Sequence, residues 1–152
     1  MVLPLLTRID HVGIACRDLD QAIERYRATF GLEVVSLEVN EEQGVREAML
    51  AVAPGSVPGA AGAGFGGYVQ LLEPLRPDTP VGKFLARRGE GIHHIGYGVT
   101  DITAAMAAIA GTGVRLIDER PRHGSMGASI AFLHPADLGG VLTELVQSAS
   151  PA

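Results

Sequence analysis

Two histidines, a glutamine and a glutamate stand at matched places in the two halves of this chain, and four such donors together could hold a metal ion. His11 lies in Ile9-Asp10-His11-Val12-Gly13-Ile14-Ala15-Cys16-Arg17-Asp18, and His94 in Ile92-His93-His94-Ile95-Gly96-Tyr97-Gly98-Val99-Thr100-Asp101. The second stretch echoes the first 83 residues on: His11 falls on His94, Gly13 on Gly96 and Asp18 on Asp101. Ala22-Ile23 meets Ala105-Met106 at the same offset, and Gly31-Leu32 meets Gly113-Val114 once one residue is dropped. Val69-Gln70-Leu71-Leu72 and Thr143-Glu144-Leu145-Val146 then put Gln70 and Glu144 in equivalent places, one polar group in each apolar run. Nitrogen and oxygen donors without sulfur suit a divalent ion of intermediate hardness: cobalt, manganese, zinc or nickel. Four ligands on one side of an octahedron leave two adjacent positions for water or a chelating substrate. Any one of these residues alone reads as an ordinary half-buried strand residue. The matched set reads as a site.

A repeat this long makes the fold one unit used twice. Side chains alternate across a strand, so Val12, Ile14 and Cys16 share an apolar face suited to packing under a helix. His11, Gly13 and Ala15 share the other. In the second copy Ile95, Tyr97 and Val99 oppose His94, Gly96 and Gly98. Each strand thus floors a cavity with a single polar group at its mouth. His93 then points away from His94 and is assigned to packing, and His134 beside Pro135 to a turn.

The elements that must position these groups follow in order. Asp18 caps a helix with Ala22, Ile23, Tyr26 and Phe30 at helical spacing, ended by Gly31. Strands are predicted over 32–39, 45–52 and 68–73, with a hairpin turn at Asn40-Glu41-Glu42-Gln43-Gly44. In the middle strand Glu47 stands between Val45 and Met49 on one face, an unusual place for a carboxylate. The stretch 54–67, rich in Gly, Ala and Pro, reads as a mobile loop. Pro77-Asp78-Thr79-Pro80 opens a connecting helix over about 78–89. The second half repeats the plan: strand 92–99, helix 102–110 capped by Asp101, and strands 113–119, 128–134 and 141–146, with a basic, glycine-containing loop at 121–127. The expected fold is α+β: two tandem βαβββ modules, about 7–75 and 91–148, forming one concave eight-stranded sheet with helices outside, within a single domain.

Composition bounds the rest. The chain has 152 residues, 47% hydrophobic and 19% charged, enough for one compact domain. The start is too short for a signal peptide and no apolar run approaches membrane-spanning length, so a cytoplasmic protein is expected. The lone Cys16 excludes an intrachain disulfide and a cysteine-based zinc site. A formal net charge of −5 argues against nucleic acid as a partner. It leaves room for a small anionic ligand held locally.

The quartet and the repeat resemble the vicinal-oxygen-chelate (glyoxalase-like) superfamily, and within it the methylmalonyl-CoA epimerase family. The most telling segments are Ile9-Asp10-His11-Val12-Gly13-Ile14-Ala15, Glu42-Gln43-Gly44-Val45-Arg46-Glu47 and Gln70-Leu71-Leu72-Glu73-Pro74. In the second half they are Gly91-Ile92-His93-His94-Ile95, Phe132-Leu133-His134-Pro135 and Gly140-Val141-Leu142-Thr143-Glu144-Leu145. The resemblance implies that His11, Gln70, His94 and Glu144 bind a divalent metal, cobalt first, and that Glu47 and Glu144 are the catalytic bases. It implies an acyl-CoA substrate and a homodimer. Arg120, Arg122 and His123, with the backbone of Gly124, Ser125, Met126 and Gly127, would cradle a phosphate or carboxylate of coenzyme A. Lys83, Arg87 and Arg88 form a second candidate, or simply a solvated basic face. Three rivals share the superfamily. A glyoxalase has glutamate where Gln70 stands, an extradiol dioxygenase uses two histidines and one carboxylate, and a metal-free binding protein of the bleomycin-resistance kind has a broken quartet.

Overall fold

The computed structural model describes residues 5–53 and 66–149. All but the last two residues of the 54–67 loop fall outside the described residues. Two compact units divide the chain: His11–His93 is one, and the residues before His11 together with those from His94 onward are the other.

The first unit holds most of β1 (Arg8–Ala15), α1 (Leu19–Phe30), β2 (Val34–Asn40), β3 (Val45–Ala51), β4 (Tyr68–Pro74) and α2 (Pro80–Arg88). Its strands run in the order β2-β3-β4-β1, with β1 parallel to β4 and the other pairs antiparallel. The second unit holds most of β5 (Gly91–Gly98), α3 (Ile102–Ala110), β6 (Arg122–His123), β7 (Ser129–Leu133) and β8 (Thr143–Gln147). Its order is β5-β8-β7-β6, again with one parallel pair, β5 with β8. The βαβββ plan is present twice.

Helices α1 and α3 are fixed by the same two devices. Asp18 accepts the Gln21 N–H at 3.0 Å and Asp101 accepts the Ala104 N–H at 3.0 Å, satisfying donors that the first helical turn leaves open. The closing strand supplies a second acceptor. Glu73 Oε2 takes the Leu19 N–H at 2.7 Å, and Gln147 Oε1 takes the Ile102 N–H at 2.8 Å. Both come three residues after the polar residue singled out in their strand, so each strand that carries a candidate ligand is also tied to its own helix. In the first unit α1 lays Leu19, Ala22, Ile23 and Tyr26 on Cys16, Ala48, Leu50 and Leu71. In the second, α3 lays Ile102, Ala105 and Met106 on Val99, Ala131, Leu133 and Leu145. Both cores lie on the face predicted to be apolar.

One element departs from expectation. The strand over 113–119 is not a regular strand. Gly113 takes φ of 96°, and only Leu116 bridges to β7, at Leu133. Arg115 O accepts the His134 N–H and the Ile117 N–H reaches Phe132 O, at 2.9 and 2.8 Å. The ladder then breaks. The carboxylate of Asp118, not a backbone carbonyl, takes the Phe132 N–H at 2.8 Å, and Pro121 has no N–H to offer. Pairing resumes at Arg122 and His123, inside what the sequence reads as a loop. The apolar alternation that suggested a strand is nevertheless used, because Val114 and Leu116 pack on the second core. β8 also starts two residues later than expected: Gly140 is at φ of 90°, and the Val141 N–H is still bound to Leu138 O in the preceding turn.

The β2–β3 hairpin, which sets the register of Glu47, depends on Gly44. Its φ is 73°, and a Cβ there would lie 2.5 Å from Thr79 Cγ2. Thr79 cannot easily yield, since its hydroxyl accepts the Gly82 N–H and donates to Arg76 O. Gly44→Ala therefore combines left-handed strain with overpacking, and a loss of about 2–4 kcal/mol is expected. Urea denaturation checks this; an unchanged midpoint would contradict it.

Candidate active site

In the first unit the register sets the site face. His11 pairs with Tyr68 and Gly13 with Gln70 across β1 and β4, while Met49 pairs with Gln70 and Glu47 with Leu72 across β3 and β4. Paired residues share a face, so His11, Gly13, Gln70, Glu47 and Met49 lie together, opposite the α1 core. His11, Glu47 and Gln70 are 4%, 3% and 5% exposed. Polar groups are rarely buried this deeply on a strand without a use for them. Gln70 Nε2 donates to Glu47 Oε2 at 3.1 Å.

In the second unit Gly96 pairs with Glu144 across β5 and β8, and Phe132 with Glu144 across β7 and β8. The histidine again stands two residues before the glycine that faces the polar residue of the closing strand. His94 and Glu144 are each 4% exposed, with Nε2 and Oε1 3.8 Å apart. The His94 ring meets Phe132 edge-on, centroids 5.5 Å apart, which holds its plane. His11 in the one unit, and His94 and Glu144 in the other, each carry a buried atom of a kind that ligates metal ions.

The residues set aside behave as expected. His93 stands edge-on to Phe84 at 5.1 Å, and burial, with Arg87 adding, pulls its pKa down to about 4. It is a neutral packing residue at ordinary pH. His134 caps a short turn by accepting the Ala136 N–H. Cys16 lies in the α1 core, its thiol against Leu72 O. Burial and then Glu73 and Glu90 push it up to about 12, so it is no thiolate ligand.

The basic loop has more internal structure than the sequence suggests. Arg120 and His123 are exposed, and Arg122 Nε lies 3.4 Å from Asp118 Oδ1. Residues Ser125–Gly127 form a 3-10 turn with Met126 at φ of 57°. The Gly124 N–H is spent on Ala128 O, and the Ala128 N–H returns to Ser125 O, which closes the turn on itself. Lys83, Arg87 and Arg88 are exposed on α2.

Sequence reasoning passed over two neighbours of the site. Glu38 pairs directly across from Glu47 and accepts from Ser36 Oγ at 3.0 Å. Alternating Ser36, Glu38 and Asn40 was the available signal for a polar continuation of that face. Phe132, the support for His94, stands in one of the telling segments but is given no role of its own there.

With this geometry in hand the class is clear. Residues 10–132 match the model of the Glyoxalase/Bleomycin resistance protein/Dioxygenase superfamily, and the chain belongs to that superfamily. More particularly, it is 57% identical to a Streptomyces coelicolor methylmalonyl-CoA epimerase variant solved in complex with 2-nitronate-propionyl-CoA, with a TM-score of 0.87 over 95% of this chain and 99% of that one. The methylmalonyl-CoA epimerase of Mycobacterium tuberculosis is 42% identical, with a TM-score of 0.85 over 99% and 93%. The ethylmalonyl-CoA/methylmalonyl-CoA epimerase of Cereibacter sphaeroides is 34% identical over 145 residues, 94% of this chain and 99% of its own. These relatives are isomerases.

Proposed function

We propose that this chain is a metal-dependent epimerase that interconverts the 2R and 2S forms of methylmalonyl-CoA by 1,1-proton transfer through an enolate. The observation that carries the reading is the repeated register: a buried histidine, then a glycine facing a buried Gln70 or Glu144, once in each unit. The likeness to epimerases over nearly the whole chain supports it.

The donor set fits a metal. Two imidazole nitrogens, one amide oxygen and one carboxylate oxygen, all buried and without a thiol, suit a borderline divalent cation, cobalt first and manganese, zinc or nickel after it. His11, Gln70, His94 and Glu144 would hold it. When bound, such an ion stabilises negative charge on the thioester and carboxylate oxygens as the α-proton leaves.

The chain's own groups do the rest. Inversion needs a proton removed from one face and one delivered to the other. Glu47 would serve one face, from a wall of Val45 and Met49 that keeps water out. Glu144, from the other unit, would serve the second while also acting as a ligand. Arg120, Arg122, His123 and the 124–127 turn would take the anionic groups of coenzyme A. The reading includes a homodimer, supported by the exposed Val35, Leu37 and Val39 on β2, and sedimentation would test it. Among the described residues no helix is long and apolar enough to cross a membrane.

Incubation of α-deuterated methylmalonyl-CoA with the protein, with and without chelator, tests the proposal. Loss of label is expected, and chelation should abolish it. Loss that ignores the chelator would overturn the metal-assisted reading.

A further inference from the structure

We infer that Gln70 is a positioning residue for Glu47, and that a side-chain amide stands there because one end can face an ion while the other holds the base. The inference rests on the function proposed above and assigns Gln70 a second task within it. Gln70 Nε2 donates to Glu47 Oε2 at 3.1 Å between side chains 5% and 3% exposed. The two are diagonal neighbours on one face of β3 and β4, a placement fixed by backbone register and not by a mobile side chain. Turning the amide over would set oxygen against oxygen, so the hydrogen bond selects the orientation that leaves Oε1 directed away from Glu47.

The repeat shows why this position is not another glutamate. Register makes Gln70 equivalent to Glu144, Leu72 to Val146 and Glu47 to Ile130. Each unit therefore carries one carboxylate on this pair of positions, in opposite places. The first has an amide beside a carboxylate, the second a carboxylate beside an apolar side chain. A glutamate at position 70 would set two buried carboxyl groups about 3 Å apart, and both could not remain ionised. The amide keeps an oxygen donor and gives Glu47 a hydrogen-bond donor instead of a rival charge.

The test separates positioning from ligation. If two bases serve opposite faces, each epimer loses its α-proton to a different one. Cobalt-loaded Gln70→Glu keeps a ligating oxygen but replaces the amide donor beside Glu47 with a second carboxyl group that competes with it for charge. Deuterium wash-in from each purified epimer, followed by mass spectrometry, is expected to fall at least tenfold more for one epimer than for the other. Cobalt affinity by calorimetry should be retained. Gln70→His can place one ring nitrogen on the ion and donate from the other, and it should restore much of the balance. Gln70→Asn, too short to reach Glu47, is the second variant should the glutamate not fold, with the same asymmetry expected. Equal slowing of both epimers, with or without lost cobalt, would make Gln70 a ligand only and overturn the inference, as would unchanged wash-in for both. Wild-type protein with no wash-in at all would sink the epimerase reading itself, and wild-type wash-in that ignores a chelator would sink its metal dependence, both distinguishable from the outcomes above.

Discussion

Glu47→Gln is expected to fold, to retain its metal and to lose epimerase activity by a factor of about 10²–10⁴, the range over which a positioned general base contributes. The substitution is nearly isosteric at a side chain only 3% exposed, so it opens no cavity. A glutamine carbonyl at this place can still accept the hydrogen bond that Gln70 now gives. What disappears is the charge that, on the proposed reading, takes the proton. Metal content by elemental analysis, thermal unfolding and α-proton exchange should be measured on one preparation, because the claim is that the first two hold while the third collapses. A variant with its metal in place that exchanged the α-proton at the wild-type rate would remove Glu47 from the mechanism.

The two units have kept one scaffold and, on the proposed reading, divided the chemistry. In both, a capping aspartate and an acceptor from the closing strand pin the helix, and in both the histidine precedes a glycine that faces the polar residue of that strand. Around that constant frame the carboxylate has changed places, standing on β8 in one unit and on β3 in the other. A symmetric pair of carboxylates on the closing strands would add nothing against β3, where Glu47 stands. On the proposed reading the exchange gives one ligand carboxylate, beside one carboxylate held by a neighbouring amide. That division is what a reaction with a proton donor on each face requires.

Much of this was legible in the sequence because the repeat fixes faces without any long-range information. His11 with Gly13, His94 with Gly96, the apolar partners Val12, Ile14, Ile95 and Tyr97, and both aspartate caps follow from spacing alone. The pairing of Gln70 with Glu47 did not. It depends on how β3 and β4 are aligned, and the connection between them has no periodicity from which a register could be read. The expected strand at 113–119 failed for a different reason. Val114 and Leu116 supply the correct alternation, but backbone pairing is broken by a side chain, Asp118, standing in for a carbonyl, and by Pro121 three residues on. Local pattern reports which way side chains face. It does not report whether a neighbouring backbone is there to bond.

The paired histidines on β5 give the sharpest contrast, because adjacent residues on a strand face opposite ways. His94→Ala is expected to weaken metal binding by at least about 100-fold, since lost outer partners of a metal site already cost 10–100-fold and His94 is proposed as a ligand itself. It also strips Glu144 of the imidazole 3.8 Å away and Phe132 of the ring it packs against. His93→Ala should do the reverse. That ring is edge-on to Phe84, its pKa is held near 4 by burial, and its loss should cost about 1–3 kcal/mol of stability while stoichiometric metal is retained. Elemental analysis after dialysis, set beside urea denaturation of both variants, reads the two effects separately. If His93→Ala lost the metal and His94→Ala kept it, the assignment of faces along β5 would be inverted. The face that carries Gly96 and Glu144 would then have no histidine from its own unit.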